Sequence, residues 1–343
     1  MTRKVFSVIN LLFFVSVLNI FAQNESSDEI IKIETALVSV PVIVSDRQGR
    51  YVPNLQAKDF TIYQDGVQQK IEFFAATEEP INVALLIDTS RSTTEVLDEI
   101  KDSALDFIKL LRPEDKAMII SFDYEPHILS ELTANREQLK RAVKNAEIGE
   151  YFGTTLHDAV FETINKSFAQ INGRKAIILL TDGKDAGSLN SEKNLLYSLE
   201  ESDTLVYTIF YETGQTQNQN RPNFPRGENR QRRFPRDNNR RFPRNGGERR
   251  RERIEQKNEI AEEFLKKISD KTAGRFFSSE VSNLNKTFNL IIEELRFQYR
   301  LGFYPSNETA DKLLYNLKVK VSASGAVVRA RSSYRIQSKS LSK

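Results

Sequence analysis

From Ile31 to Phe74 apolar and polar residues alternate in short runs, broken by turn chemistry at Asp46 to Gly49 and at Gln64 to Gly66. That alternation predicts antiparallel β structure. Val38, Val40, Val42 and Val44 fall on one face of a strand, and Phe60, Ile62 and the stretch from Tyr63 to Val67 fit a hairpin around Asp65-Gly66. So short a segment holds too few strands to close a sandwich by itself. Comparable runs recur near the other end, at Tyr299 to Tyr304, Leu314 to Val321 and Val327 to Ile336. The pattern therefore predicts one all-β, sandwich-like domain built from both chain ends, residues 31–77 and 299–337.

Between these halves, over residues 80–298, strands alternate with helices. This is the pattern of an α/β domain with a doubly wound, mostly parallel six-stranded sheet. Ile81 to Ile87 is a nearly continuous apolar run, as expected of a strand buried on both faces. Leu97, Ile100, Ala104, Phe107, Ile108 and Leu111 then recur at helical spacing until Arg112-Pro113. Ala117 to Phe122, His127 to Leu132 as a short edge strand, Ala176 to Leu180, Thr204 to Tyr211 and Arg275 to Ser278 complete the sheet. Helices are expected around Arg136 to Ala146, Leu156 to Ile171, Ser191 to Glu201, Gln256 to Lys271 and Val281 to Gln298.

One segment breaks the series. Residues 213–255 carry the near-repeats Arg221-Pro222-Asn223-Phe224-Pro225-Arg226, Arg233-Phe234-Pro235-Arg236 and Arg241-Phe242-Pro243-Arg244. Proline removes backbone donors and almost no aliphatic residue is available to bury, so this insert is expected to be disordered. Its thirteen Arg against five acids give it a charge of +8, while the whole chain carries only +3. With the two positive charges of residues 1–22 also set aside, the remaining body stands at −7. An acidic body thus carries a basic insert, and the insert's charge suits a polyanion such as an acidic polysaccharide or anionic lipid. No feature points to specific nucleic-acid recognition.

The amino terminus has its own pattern. Arg3 and Lys4 precede an almost wholly apolar run from Val5 to Ala22, and Gln23-Asn24-Glu25 follows. This is the three-part layout of a secretory signal, so residues 1–22 are expected to be a signal peptide cleaved after Ala22. The protein would then be exported to the periplasm, the outer surface or the medium. No later run is long enough to span a bilayer. In 343 residues, with 39% apolar and 28% charged, there is no Cys, which excludes disulfides and thiolate metal sites. Only His127 and His157 are present, too few for a three-histidine zinc site, so any metal here prefers oxygen ligands.

Open α/β sheets bind ligands at the carboxyl ends of their strands, so the polar residues directly after each apolar run are the candidates for chemistry. Asp88-Thr89-Ser90-Arg91-Ser92 follows the first strand, Thr181-Asp182-Gly183 follows the fourth, and Phe152-Gly153-Thr154 stands just before a helix. In a parallel sheet all three reach one edge, gathering two carboxylates and three hydroxyls. Such a set suits Mg²⁺, a small hard cation that wants about six oxygens, accepts hydroxyl and water ligands, and rarely gives up all its waters.

The spacing Asp-x-Ser-x-Ser, then Gly-Thr, then Thr-Asp-Gly resembles the metal-ion-dependent adhesion site of von Willebrand factor A domains. The flanking stretches VPVIVSDRQGRYVPNLQAKDFTIYQDGVQQKI and YRLGFYPSNETADKLLYNLKVKV resemble the A-domain-related proteins described from Acidobacteria. The resemblance implies that Ser90, Ser92 and Thr154 touch a Mg²⁺ or Mn²⁺ ion directly, while Asp88 and Asp182 act largely through bound water. A site with few direct carboxylates leaves the ion electrophilic, with a position open for a carboxylate from a partner protein or matrix component. The implied role is adhesion or protein binding without turnover. This chain departs from the family pattern in two places: Arg91 and Thr93 stand where Gly and Met are usual, and Phe152 stands where the first Gly of Gly-Gly-Thr is usual. Arg91 puts a cation beside the site, where it would lower metal affinity or pair with an incoming acid.

Blander and rival readings exist. Asp88 and Asp182 could simply cap the helices that follow, although capping alone does not require hydroxyls at alternate positions. Asp88-Thr89-Ser90 also resembles the loop of aspartic proteases, but the second such loop is missing and a helix follows at once. His157 and Asp158 invite a triad, yet no serine stands in Gly-x-Ser-x-Gly and no phosphate-cradling loop is present, so no enzyme activity is expected. The alternative from another class is an envelope scaffold or assembly factor whose β domain makes the interface and whose metal site is vestigial.

Overall fold

The central sheet is built from strands whose alternate side chains both find an apolar partner. A computed structural model describes residues 37–76, 79–213, 246–306 and 312–336, which fall in one compact unit. The signal segment, residues 31–36 and most of the insert lie outside the described residues. The first strands are β1 (Val38–Ser45), β2 (Phe60–Gln64), β3 (Val67–Gln69) and β4 (Phe73–Ala75). The next six are β5 (Ile81–Asp88), β6 (Lys116–Phe122), β7 (Pro126–Thr133), β8 (Arg174–Thr181), β9 (Leu205–Phe210) and β10 (Phe276–Ser278). They form one sheet in the order β10-β9-β8-β5-β6-β7, parallel throughout except for the antiparallel edge strand β7.

The helices are α1 (Leu97–Leu110), α2 (Arg136–Lys144), α3 (Leu156–Glu162), α4 (Glu192–Glu201), α5 (Gly246–Thr272) and α6 (Leu284–Arg296). Val83, Leu85 and Ile87 of β5 pack into a core with α1, α2 and α6, while Ala84 and Leu86 pack on the other face with α3, α4 and α5. Three helices therefore cover each face, which is the doubly wound arrangement expected from the apolar runs. Local chemistry sets several boundaries. The Asn135 side chain accepts from the Glu137 and Gln138 amides to open α2, and Ser191 accepts from Asn194 to open α4.

The last strands are β11 (Gln298–Phe303), β12 (Leu314–Val321), β13 (Val327–Ala330) and β14 (Ser333–Arg335). They join the amino-terminal strands in two four-stranded sheets, β13-β1-β11-β4 and β14-β12-β2-β3. A third core lies between these sheets, with Val40, Val42 and Val44 meeting Phe60, Ile62, Tyr299, Leu301, Phe303 and Tyr315. The sandwich is thus assembled from both chain ends, with Asp65 and Gly66 at positive φ in the β2–β3 turn.

Three local expectations change. The run from Val327 to Ile336 divides into β13 and β14, because the chain turns a corner at Arg331 and Ser332 and passes from one sheet to the other. The helix expected from Leu156 to Ile171 stops being α-helical at Glu162 and continues as a π turn over Thr163–Ser167, where the Phe168 amide bonds the Thr163 carbonyl. Finally, α5 begins at Gly246, so residues 246–255 of the insert are helical. No Pro follows Pro243 there, and Glu and Arg are strong helix formers. Among the described residues no helix is long and apolar enough to cross a membrane.

Candidate functional site

Strand register sets the floor of the site. Ile87 is level with Leu180 across the β5–β8 pair, so the next residues, Asp88 and Thr181, emerge side by side at the carboxyl edge. The Thr181 hydroxyl donates to Asp88 Oδ2 at 2.6 Å, and the Ser90 amide donates to Asp88 Oδ1 at 3.0 Å. Both oxygens of this fully buried carboxylate are therefore anchored. Thr93, at the position where Met is usual, closes the turn: its hydroxyl donates to the carbonyls of Asp88 and Ser90. The turn holds the Ser90 and Ser92 hydroxyl oxygens 3.0 Å apart.

Backbone bonds draw the other loops to the same edge. The Gly149 amide reaches the Thr89 carbonyl, and the Thr155 amide reaches that of Asp123 at the end of β6. Thr154 and Ala186 exchange two backbone hydrogen bonds, tying the loop before α3 to the loop after β8. Gly153 has φ of +145°, a conformation that L side chains rarely adopt, which explains a glycine immediately before Thr154. Thr154 is only 7% exposed.

The two carboxylates interact. Burial, then the negative charge of Asp182, pushes the Asp88 carboxyl up to about 6, against the opposing hydrogen bonds from Ser90 and Thr181. Tyr211, just past β9, is buried within electrostatic reach of both. Burial first, then those carboxylates, raises its phenol well above the ordinary range, and its hydroxyl has no hydrogen-bond partner among the described residues.

Two groups at the site escape the motif. Lys184 Nζ lies 2.6 Å from Asp182 Oδ2, the Thr213 hydroxyl donates to that same oxygen at 2.8 Å, and Lys184 also reaches Thr213 at 3.2 Å. Arg91 does not project into the site. Its guanidinium lies 4.1 Å from the centroid of the Phe152 ring and donates to the Glu150 carbonyl. The departures at positions 91 and 152 thus compensate each other across two loops. His157 and Asp158 form no triad: Asp158 accepts from the Leu189 and Asn190 amides and the Asn190 side chain, fixing the loop after β8.

The donor set fits a small hard cation. Adjacent ligands of an octahedral ion with oxygens at about 2.1 Å lie about 3.0 Å apart, the spacing seen between the Ser90 and Ser92 hydroxyls. A cation beside Asp88 and Asp182 would offset the repulsion that raises Asp88. Among the described residues no three His, Asp or Glu side chains gather into a metal cluster, so an ion here must draw on the hydroxyls. Lys184 is the one local feature that opposes it.

Residues 83–184 match the family model of the von Willebrand factor type A domain. The matched span runs from β5 through the loop after β8 and includes all five candidate ligands. No curated protein gives a match to the chain. Among solved structures the chain is similar to proximal thread matrix protein 1 from the mussel byssus, at 13% identity over 76% of this chain and 50% of that one, with a TM-score of 0.46. The chain therefore spans about half that protein's length; a further structure of the byssus protein has zinc in its MIDAS motif. It is also similar to a von Willebrand factor type A protein from Catenulispora acidiphila, at 14% identity over 82% of this chain and 75% of that one, with a TM-score of 0.45. A third likeness is to the vWF domain of a type V pili tip protein from Porphyromonas gingivalis, at 14% identity over 69% and 100% of the two chains, with a TM-score of 0.42. At these identities the likeness is one of fold.

Proposed function

We propose that this chain is an exported, non-enzymatic binding protein of the A-domain-related kind, which captures an acidic side chain of a partner through Mg²⁺ or Mn²⁺. Ser90, Ser92 and Thr154 would hold the ion directly, and Asp88 and Asp182 would hold it largely through water. The ion would supply an electrophilic position for one carboxylate; the chain's own contribution is to fix five oxygen-bearing side chains on three loops. The observation that carries this reading is the pair of serine hydroxyls at octahedral-edge spacing beside two anchored carboxylates.

Calorimetry tests it. Mg²⁺ and Mn²⁺ should give saturable heats that vanish in Asp88→Ala, and partners pulled down from the native envelope in Mg²⁺ should be lost in EDTA. No heat with either ion in the wild-type protein would remove the reading. The second reading, an envelope scaffold with a vestigial site, is favoured by the Lys184 ammonium already seated on Asp182. Partner capture that survives Asp88→Ala with the fold intact would select the scaffold.

A further inference from the structure

The loops that carry the site also carry a surface that the fold does not use. Of the four most exposed large apolar side chains among the described residues, three stand at this edge: Leu189 at 94%, Phe152 at 83% and Tyr151 at 60%. Single exposed apolar side chains are ordinary on a protein surface; the placement of these is not. Phe152 lies two residues before Thr154, and Arg91, stacked on its ring, lies between Ser90 and Ser92. Tyr151 meets Tyr124 edge to face at 4.9 Å, and Tyr124 follows directly after Asp123 at the end of β6. Aromatic rings and an arginine therefore stand on or beside the loops that carry Ser90, Ser92 and Thr154.

We propose that Tyr124, Tyr151 and Phe152, with Arg91, form a specificity surface for a polypeptide segment in which the captured Asp or Glu is flanked by a large apolar side chain. The inference rests on the cation-dependent capture proposed above and names what the partner must look like beside its acid. Charge sets the sign: the cation together with Arg91, which stands between Ser90 and Ser92, supplies the positive charge for an incoming acid in a body that carries −7, against the Glu125 carboxylate that accepts from the Tyr124 hydroxyl. The rim's composition, Tyr and Arg around a Phe, is that of energetically dominant interface residues.

Two capped peptides, Gly-Gly-Asp-Gly-Gly and Gly-Leu-Asp-Phe-Gly, titrated into the full protein in saturating Mg²⁺, provide the test. The apolar-flanked peptide should bind about tenfold more tightly. In the double variant Tyr124→Ala, Tyr151→Ala, which leaves the Phe152–Arg91 stack in place, that advantage should disappear, while affinity for Mg²⁺ and for the glycine-flanked peptide stays the same. Both side chains are exposed, so the variant should fold; an unchanged melting temperature checks this. Mg²⁺ heat combined with equal, or equally absent, binding of the two peptides overturns the rim assignment and leaves the metal site standing. An advantage that persists in the double variant also overturns it. A silent Mg²⁺ titration removes the metal reading and this inference together. Tighter binding of an oligogalacturonate than of either peptide, lost in the double variant, would replace the polypeptide by an anionic glycan.

Discussion

Lys184 stands where it would oppose a bound ion, its ammonium 2.6 Å from Asp182 Oδ2. Two unit charges about 4 Å apart interact by about 4 kcal/mol at an effective dielectric near 20. The lysine side chain is 39% exposed, so solvent screens much of that. Removing the ammonium should therefore raise Mg²⁺ affinity about tenfold in Lys184→Ala, read by calorimetry; an equal or weaker affinity would show that Lys184 does not compete with the ion. Asp88 adds a pH dependence. Its carboxyl is raised, so the folded state holds the proton more tightly than the unfolded chain. The stability this contributes is complete below the ordinary carboxyl range and is lost as pH rises through about 6. In EDTA the melting temperature should fall across that window on account of this group. Because the same proton competes with the cation, the stabilisation by Mg²⁺ should be larger at pH 7.5 than at pH 5. An equal Mg²⁺ shift at both values would count against Asp88 as a site carboxylate.

At the scale of elements, the Thr-Asp-Gly turn does more than present Asp182. Gly183 has φ of +75°, and a Cβ there would sit 2.8 Å from the Ala261 Cβ and 3.1 Å from Leu265 Cδ1, on the face of α5. Gly183→Ala should therefore cost about 2 kcal/mol in urea unfolding, through backbone strain and displacement of the helix; a loss below about 0.5 kcal/mol would contradict that account. The same turn shows what can be read along the chain. Strands β5, β8 and β9 were legible because burial on both faces leaves continuous apolar runs, and α1 because its apolar residues keep helical spacing. The five candidate ligands were legible because each stands directly after a strand or before a helix. The rest depends on tertiary placement. Lys184 and Thr213 meet on Asp182 from 29 residues apart, and Arg91 finds Phe152 across two loops. The first turns of α5 carry charge without an apolar stripe, and the corner that splits β13 from β14 is set by which sheet each half joins.

At the scale of the molecule, the sandwich and the candidate metal site occupy opposite edges of the central sheet. The sandwich meets the amino edge, where α4, α5 and α6 end. Arg329 of β13 bonds Glu294 and the Ala273 carbonyl, Arg331 bonds the carbonyls of Ser202 and Ser39, and Arg335 of β14 pairs with Glu200. A strand of eight residues such as β5 spans about 25 Å, so the candidate site lies about that far from the joint between the two bodies. The joint is short: only Phe297 separates α6 from β11, and Glu294 is 1% exposed, its carboxylate reached also by the Tyr51 hydroxyl. Replacing Arg329 leaves that carboxylate buried with no cation beside it, a loss of about 3 kcal/mol for a pair broken from one side. Arg329→Met should therefore lower the melting temperature in calorimetry while the protein still unfolds in one transition, because the other buried arginines continue to join the bodies. Mg²⁺ affinity should not change, since the broken pair stands at the far edge. Two separated transitions in the wild-type protein would mean that the sandwich and the α/β body unfold independently, and that these arginines do not couple them.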